Sequence, residues 1–351
     1  MTEMRIKYYG VRGSIPAPMT SKQILEKQIA LIEHISNDDK VMSGDVDIKD
    51  YISKLPLSLR GTFGGNTTCI EIQIKDSPLI IVDAGTGIRD LGNELFGRQK
   101  KFNGEDSVFN FNPLNENEEY GNQIHLFLTH FHWDHIQGLP FFGPAFNDKV
   151  KLFFYGKANT TSHISDVLKG QQNYPNFPVK WEDMQCGKDY LELSRMGHEG
   201  IEVGNSIVTY AELTHPDSVF AYAFETLNKN KFVVATDTEH KDSPDPRLEK
   251  IAKNADLMCY DVQYRPEQYC NEKMPLFDWG HSTYEWAVKN ALFCNIKEVH
   301  GIHHDPPRND FGLEELEKDF QGYRDEMLKL EENKDKSLEA YLAYEGMVRE
   351  F

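Results

Sequence analysis

The stretch that decides the fold is Thr129-His130-Phe131-His132-Trp133-Asp134-His135. It follows an apolar run at 124–128, which is short and bounded by polar residues and therefore predicts a buried strand. Residues two apart in an extended segment point to the same side, so His130 and His132 present their imidazoles together. Asp134 and His135 follow where the chain turns. Four nitrogen or oxygen ligands within six residues predict a metal site, because solvated or capping histidines rarely take this order at a strand end.

Three later residues repeat the same arrangement, since His215, Asp237 and His303 each come at the end of an apolar run. Loops at strand ends are where a rigid scaffold places chemical groups. We therefore expect these side chains to meet the first motif. His304 adjoins His303, and the alternation of the strand does not decide which of the two faces the site.

These motifs resemble those of the metallo-β-lactamase-fold hydrolase superfamily. The resemblance is strongest to its phosphodiesterase branch, which includes ribonuclease Z and the cyclic-phosphate and cyclic-nucleotide phosphodiesterases. It runs from about Met4 to the C-terminus. It implies an α+β fold, an αββα sandwich of two mixed β-sheets flanked by helices. The predicted elements agree, because strands come first in clusters and then alternate with helices.

The resemblance also implies two divalent metal ions, with zinc preferred for histidine and aspartate ligands and manganese or iron also compatible. It implies the following ligands: His130, His132 and His215 for one metal, Asp134, His135 and His303 for the other, and Asp237 as a bridge. The nucleophile would be a hydroxide bridging the metals, since metal binding lowers the pKa of water from 15.7 to about 7. Asp134 would also orient this nucleophile, a catalytic role.

His281-Ser282-Thr283 is the second specific signal. The resemblance implies that His281 does not bind metal but hydrogen-bonds the scissile phosphate or protonates the leaving oxygen. The alternative is a solvated imidazole beside a helix cap. Asp83, at the end of an early strand, is predicted to bond a ligand histidine, with an ordinary turn aspartate as the alternative. Asn66 and His304 are further candidates for contacts to substrate or ligands.

The predicted organisation is one metallo-hydrolase domain over 1–351 with two insertions. The chain has 351 residues, 39% of them hydrophobic, which is ample for a large core. An amphipathic stretch at 19–59 predicts a helical insertion that covers one rim of the fold. The stretch 97–122 is polar, acidic and rich in asparagine, and predicts a surface-loop insertion.

Charge and cysteine content restrict the partners and the compartment. The chain has 38 Lys+Arg against 56 Asp+Glu, a net charge of −18. Long nucleic acid is therefore not an expected partner, because its backbone is bound through basic patches. The five scattered cysteines predict reduced thiols and a cytoplasmic protein. No signal peptide is predicted, and no stretch approaches the ~20 apolar residues of a membrane span. The oligomeric state stays open, a homodimer included.

The predicted function is hydrolysis of small phosphodiesters, with cyclic nucleotides as the first substrate class. One alternative is an RNA endonuclease that resembles ribonuclease Z, although the sequence contains no flexible basic arm for tRNA. A second alternative is hydrolysis of carboxylic esters, thioesters or lactones, against which the His281 motif argues. A third is a metal-bound sensor without activity, against which the complete ligand set argues.

Overall fold

The computed structural model describes residues 2–38, 41, 43–100, 108–158, 162–193, 200–240 and 242–351. In this part of the chain the strands form two seven-stranded sheets and one two-stranded hairpin. The strands are β1 (Met4–Gly10), β2 (Cys69–Ile74), β3 (Leu79–Val82), β4 (Gln99–Lys100), β5 (Val108–Phe109), β6 (Gln123–Phe127), β7 (Lys151–Gly156), β8 (Gly187–Glu192), β9 (Ile201–Val203), β10 (Ser206–Leu213), β11 (Val219–Thr226), β12 (Lys231–Ala235), β13 (Leu257–Asp261), β14 (Glu298–Ile302), β15 (Glu339–Leu342) and β16 (Val348–Glu350).

Several of the described helices contact strands of the two large sheets, and others contact neighbouring helices. The described helices are α1 (Ser21–Ser36), α2 (Ile48–Ser53), α3 (Leu57–Arg60), α4 (Gly87–Leu95), α5 (Trp133–Ile136), α6 (Ile164–Gln171), α7 (Pro246–Ala252), α8 (Pro266–Tyr269), α9 (Tyr284–Phe293) and α10 (Asp310–Leu328). None of the described helices is both long and apolar enough to cross a membrane.

Both large sheets are mixed in the same way. The first has the order β16-β1-β2-β3-β6-β7-β8 and the second β15-β14-β13-β12-β11-β10-β9. In the first sheet β3, β6, β7 and β8 are parallel neighbours, and in the second β12, β13, β14 and β15 are. The remaining neighbours pair antiparallel. The predicted αββα sandwich is therefore confirmed.

The core follows from strand alternation. Along β3, Ile80 and Val82 face the other sheet, whereas Leu79 and Ile81 face the helical layer. The strands of the second sheet are also apolar on both faces. In β12, residues 232 and 234 lie between the two sheets, whereas residue 233 lies under the helices. A strand buried on both sides needs continuous apolar sequence, which is why these strands were readable as apolar runs.

Strands β8 and β15 lie at the edges of their sheets, where one side of the strand is unpaired. Edge strands keep polar residues, so their apolar pattern in the sequence is weak. The last strand, β16, begins at Val348, after residues 344–347, which lie outside any strand.

The described part of the stretch 19–59 contains α1, α2 and α3, and several apolar side chains of α1 face solvent rather than the protein. Thr20 caps α1 through a capping box with Gln23. The apolar side chains of this helix that are exposed are Ile24, Leu25, Ile29 and Ile32. Lys27 is instead buried, with its Nζ 2.5 Å from the carboxylate of Asp310 and bonded to the Gly61 carbonyl. Whether the stretch is an insertion stays a prediction.

The stretch 97–122 is not a surface loop throughout, which corrects that prediction. It contains the β4–β5 hairpin, and residues 101–107 lie outside the described part. Asn110, Asn112 and Asn115 are buried. Asn112 Nδ2 donates to the backbone oxygens of Ile74 (2.7 Å) and Ser77 (2.8 Å), so its polarity serves internal hydrogen bonds rather than solvent.

Candidate metal centre

The seven predicted ligands meet at one end of the sandwich. His130 to His135 follow β6 of the first sheet, and His215, Asp237 and His303 follow β10, β12 and β14 of the second. Asp237 and His303 lie at the same end of the second sheet because β12 and β14 both pair in parallel with β13. Residues just past the ends of such neighbouring strands lie side by side.

The predicted ligand atoms fall into two groups, and a third group that could hold a metal joins Asp237 and His303 to Asp261 and His281. In each group the atoms all lie within 4.8 Å of one another; the two predicted groups are His130, His132 and His215, and Asp134, His135, Asp237 and His303. Asp237 lies between them, with Oδ2 3.8 Å from His130 Nε2 and Oδ1 3.3 Å from His135 Nε2. This is the arrangement that the predicted bridging role of Asp237 requires.

Each of the five histidines has one nitrogen held by an oxygen outside the ligand set. The pairs are His130 Nδ1 with Thr129 Oγ1 (3.1 Å), His132 Nε2 with Asp217 Oδ2 (2.9 Å), His135 Nδ1 with Asp83 Oδ2 (2.7 Å), His215 Nδ1 with the Gly280 carbonyl (3.0 Å) and His303 Nδ1 with Gln263 Oε1 (2.8 Å). Such partners set the tautomer of a histidine that binds metal through its other nitrogen.

Two ring nitrogens that face the ligand groups show whether the site fits a metal. His130 Nε2 and His135 Nε2 are buried and make no hydrogen bond of good geometry among the described residues, although carboxylate oxygens of Asp237 lie 3.8 Å and 3.3 Å from them. A buried polar atom without a partner costs free energy unless something else binds it. A divalent cation between these nitrogens and the carboxylates satisfies both, so the residues fit divalent metal binding.

The electrostatics of the two groups differ. Burial lowers the pKa of His130 and, less strongly, of His215, so both imidazoles are neutral and ready to act as ligands. Burial also lowers the pKa of His303, but Asp237 and Asp134 outweigh it and raise the pKa to about 9. The same carboxylates raise the pKa of His135. In the absence of metal, His135 and His303 are therefore protonated, and their positive charges offset the carboxylates of Asp134 and Asp237.

Metal uptake is therefore expected to release protons. Histidine binds metal only as the neutral imidazole, so His135 and His303 must each lose the proton that their raised pKa retains. We expect the apparent metal affinity to rise with pH up to about pH 9, the pKa of His303. Calorimetry of metal binding at pH 7 in buffers with different ionisation heats measures the protons released. A release of no protons would contradict this charge assignment.

Three residues of the site have a left-handed backbone. The φ angles are 60° for Asp83, 52° for Asp237 and 62° for His303. This conformation is strained for residues with a Cβ, least so for Asp and Asn, and such strain concentrates at functional sites. Gly280 (φ 82°) is required for a second reason, since a Cβ there would lie 2.0 Å from His215 Nδ1.

Among the other predicted residues, Asp83 is fully buried and accepts hydrogen bonds from Thr129 and His135. Asn66 lies outside both ligand groups, because its amide bonds Asp90, Glu345 and Thr86. His304 is also outside them, with its Nε2 2.8 Å from the Ala343 carbonyl. Of the two adjacent histidines, the structure places His303 in the ligand groups.

His281 lines the open side of the site. Its Nδ1 lies 2.9 Å from Asp261 Oδ2, and its ring stacks on His303 with centroids 4.7 Å apart. The buried carboxylate engages Nδ1 and leaves Nε2 for the cavity. This cavity has a volume of about 470 Å³ and is lined by Ser14, Phe131, His132, Trp133, Asp134, Asp237, His281 and His303.

Sequence reasoning missed four residues that hold the site. Asp261 also accepts from the backbone N–H groups of residues 237, 263 and 282, so it fixes the loops around His281. It ends an apolar strand just as Asp237 does, and that signal could have found it. The Ser14 N–H lies 2.7 Å from Asp134 Oδ2. Ser14, Asp217 and Gln263 carry no signal in the sequence.

A sandwich of two mixed sheets with histidines and aspartates gathered at its strand ends defines the class of metallo-β-lactamase-fold hydrolases. The family model described as the β-lactamase superfamily domain matches residues 80–304, more than half of the chain, and the chain therefore belongs to this superfamily.

Individual relatives are distant. Ribonuclease Z of Methanocaldococcus jannaschii is 23% identical over 229 residues, which are 58% of this chain and 68% of that protein. The metallo-β-lactamase fold protein YhfI from Bacillus subtilis has a TM-score of 0.58 at 16% identity over 100% of both chains. Unliganded yeast PDE1 has a TM-score of 0.57 at 16% identity, also over 100% of both chains. At these identities the solved structures show the shared fold.

Proposed function

We propose that this protein is a dinuclear metal-dependent hydrolase of small phosphodiesters, with cyclic nucleotides as its substrate class. The observation that carries the proposal is the position of Asp237 between two groups of ligand atoms, with His281 beside them. Two neighbouring metals suit displacement at phosphorus. The sequence similarity to a ribonuclease Z, by name an enzyme acting on RNA, supports phosphodiester chemistry.

The proposed metal ions would activate water and neutralise charge on the phosphate oxygens. The protein's own side chains would position the water and supply a proton. Asp134, fixed by the Ser14 N–H, orients the attacking water. His281 donates a proton from Nε2 to the phosphate or the leaving oxygen, since Asp261 holds its Nδ1–H. Zinc is the proposed metal because histidine and aspartate ligands suit it, and manganese or iron would be its competitors.

A small substrate is proposed because the site lacks the features that hold a nucleic-acid backbone. The described residues lining the cavity include no lysine or arginine. The net charge of −18 also repels a long polyanion. A cavity of about 470 Å³ is in the range of sites for small molecules.

We therefore expect the reconstituted enzyme to hydrolyse nucleoside cyclic phosphates with a higher kcat/KM than it cleaves a structured precursor tRNA. Both substrates should be assayed at physiological ionic strength, because low salt exaggerates binding of nucleic acid. The metal-stripped protein is the control for each. Efficient cleavage of the precursor tRNA under these conditions would instead favour the ribonuclease alternative.

A further inference from the structure

Two aromatic residues alternate with the ligands in the motif that follows β6. Phe131 lies between His130 and His132, and Trp133 lies between His132 and Asp134. Trp133 is 77% exposed although its neighbours Asp134 and His135 are buried. Both aromatic side chains line the cavity of the metal centre. The exposed indole of Trp133 therefore stands at the mouth of the site, whereas Asp134 and His135 lie inside it.

The same two side chains also line a second cavity next to the first. It has a volume of about 610 Å³. Phe141, which is 57% exposed, and Phe177 form another of its walls, with an edge-to-face contact between ring centroids 5.4 Å apart. We call Phe131, Trp133, Phe141 and Phe177 the aromatic shelf. Phe131 and Trp133 line both cavities, so the two cavities adjoin at these side chains.

The chemistry of the two cavities is complementary. The described residues that line the second cavity carry no charge, whereas the first contains two carboxylates. Amide side chains stand among the aromatic ones, namely Gln137, Gln171 and Asn176. Exposed aromatic faces stack on planar rings, and amides bond the polar edges of such rings. The described residues of the second cavity include no lysine or arginine that could bind a further phosphate group.

We propose that the aromatic shelf binds a planar aromatic ring attached to the phosphodiester, specifically a nucleobase, and thereby selects nucleotide substrates. This inference rests on the proposed function, because it assigns the non-reacting part of the substrate of the same site. Trp133 and Phe141 provide the stacking faces. The ring is held beside the ligand groups by residues of the motif itself, so base and phosphate are positioned together.

The first test compares paired substrates, a nucleoside 3′,5′-cyclic phosphate and the same ribose cyclic phosphate without a base, followed by ³¹P NMR. For Phe141→Ala and Trp133→Leu we expect KM for the base-bearing substrate to rise about 5- to 100-fold, the range that loss of one base stack gives. KM for the base-free substrate should not change in Phe141→Ala. Phe146→Ala removes an exposed aromatic side chain of a different cavity and is the matched control.

Equal changes for both substrates in Phe141→Ala, or no change for either, would overturn the shelf. The same Phe141 dependence with an alkyl phosphodiester would overturn it too, since the shelf would then select apolar groups rather than bases.

A binding measurement separates this proposal from the proposed function. Adenosine 5′-monophosphate is titrated into metal-free and metal-loaded protein while tryptophan fluorescence is recorded. We expect saturable quenching that is lost in Trp133→Leu and retained in Phe146→Ala. If this quenching occurs but no phosphodiester is hydrolysed, the shelf stands and the proposed function fails. If phosphodiesters are hydrolysed without quenching and without discrimination between the paired substrates, the proposed function stands and the shelf fails.

Discussion

Asp237→Asn is expected to lower kcat/KM for small phosphodiesters by on the order of 10³-fold or more, because a metal ion supplies several kcal/mol of transition-state stabilisation and each 1.36 kcal/mol is a factor of ten. The carboxylate lies between the two ligand groups. Asparagine keeps the shape of the side chain and removes the charge that would bridge the two proposed cations. Asparagine also tolerates the φ of 52° at this position, whereas alanine would add backbone strain.

Metal content is the direct measurement. Elemental analysis should give two metal ions per chain for the wild type and one or none for Asp237→Asn. The matched control is Asp76→Asn, because Asp76 has a similar φ of 51° in the turn between β2 and β3, far along the chain from the ligands. A folded wild-type protein that saturates at a single tightly bound metal would contradict the dinuclear proposal.

His281→Ala is expected to keep both metals and lose roughly 10²- to 10⁴-fold in turnover, the usual contribution of a positioned general acid. The side chain lines the cavity, and its Nδ1 lies 2.9 Å from Asp261 Oδ2, whereas the candidate ligand Asp237 is farther away at 3.8 Å. If His281 protonates the leaving oxygen, the loss should shrink for nitrophenolate, which leaves without a proton. If it only binds phosphate, the loss should be similar for every leaving group.

Asp261→Asn tests how His281 is positioned. An asparagine amide can donate to Nδ1, which holds the ring in the neutral form protonated only at Nε2, and it removes the carboxylate charge that stabilises the doubly protonated imidazolium needed for proton donation. We expect a loss of about 10- to 100-fold, as for other partners that orient active-site histidines. His34→Ala, which removes an exposed histidine in the last turn of α1, is the control for loss of an imidazole.

Unchanged turnover of the His281→Ala variant on all phosphodiesters would leave only a structural role for His281.

The local part of the site was predictable from the sequence. His130, His132, Asp134 and His135 lie within six residues, so their convergence needs only one strand and one turn. The αββα sandwich was predictable for a related reason. Central strands that are buried on both faces must be continuously apolar, and this pattern is visible without knowledge of their partners.

The distant candidate ligands were indicated by their positions at the ends of apolar runs and by the resemblance, and the structure shows what brings them together. Asp261 pairs with Ile302 across β13 and β14, and Tyr260 pairs with Ala235 across β12 and β13. This register places Asp261 between the loops that carry Asp237 and His303. Side chains far apart in sequence become neighbours only when strand order and register are set, and a single sequence does not encode either locally.

The sequence by itself thus determined the class of fold, the ligand-rich motif and the apolar strands, because each depends on the order of nearby residues. The tertiary structure alone decided that Asp217 and Gln263 hold two of the histidines, and that α1 buries Lys27 whereas four of its apolar side chains are exposed. These outcomes depend on which loops and helices meet across the sandwich. Such contacts are set by packing between segments distant in the chain.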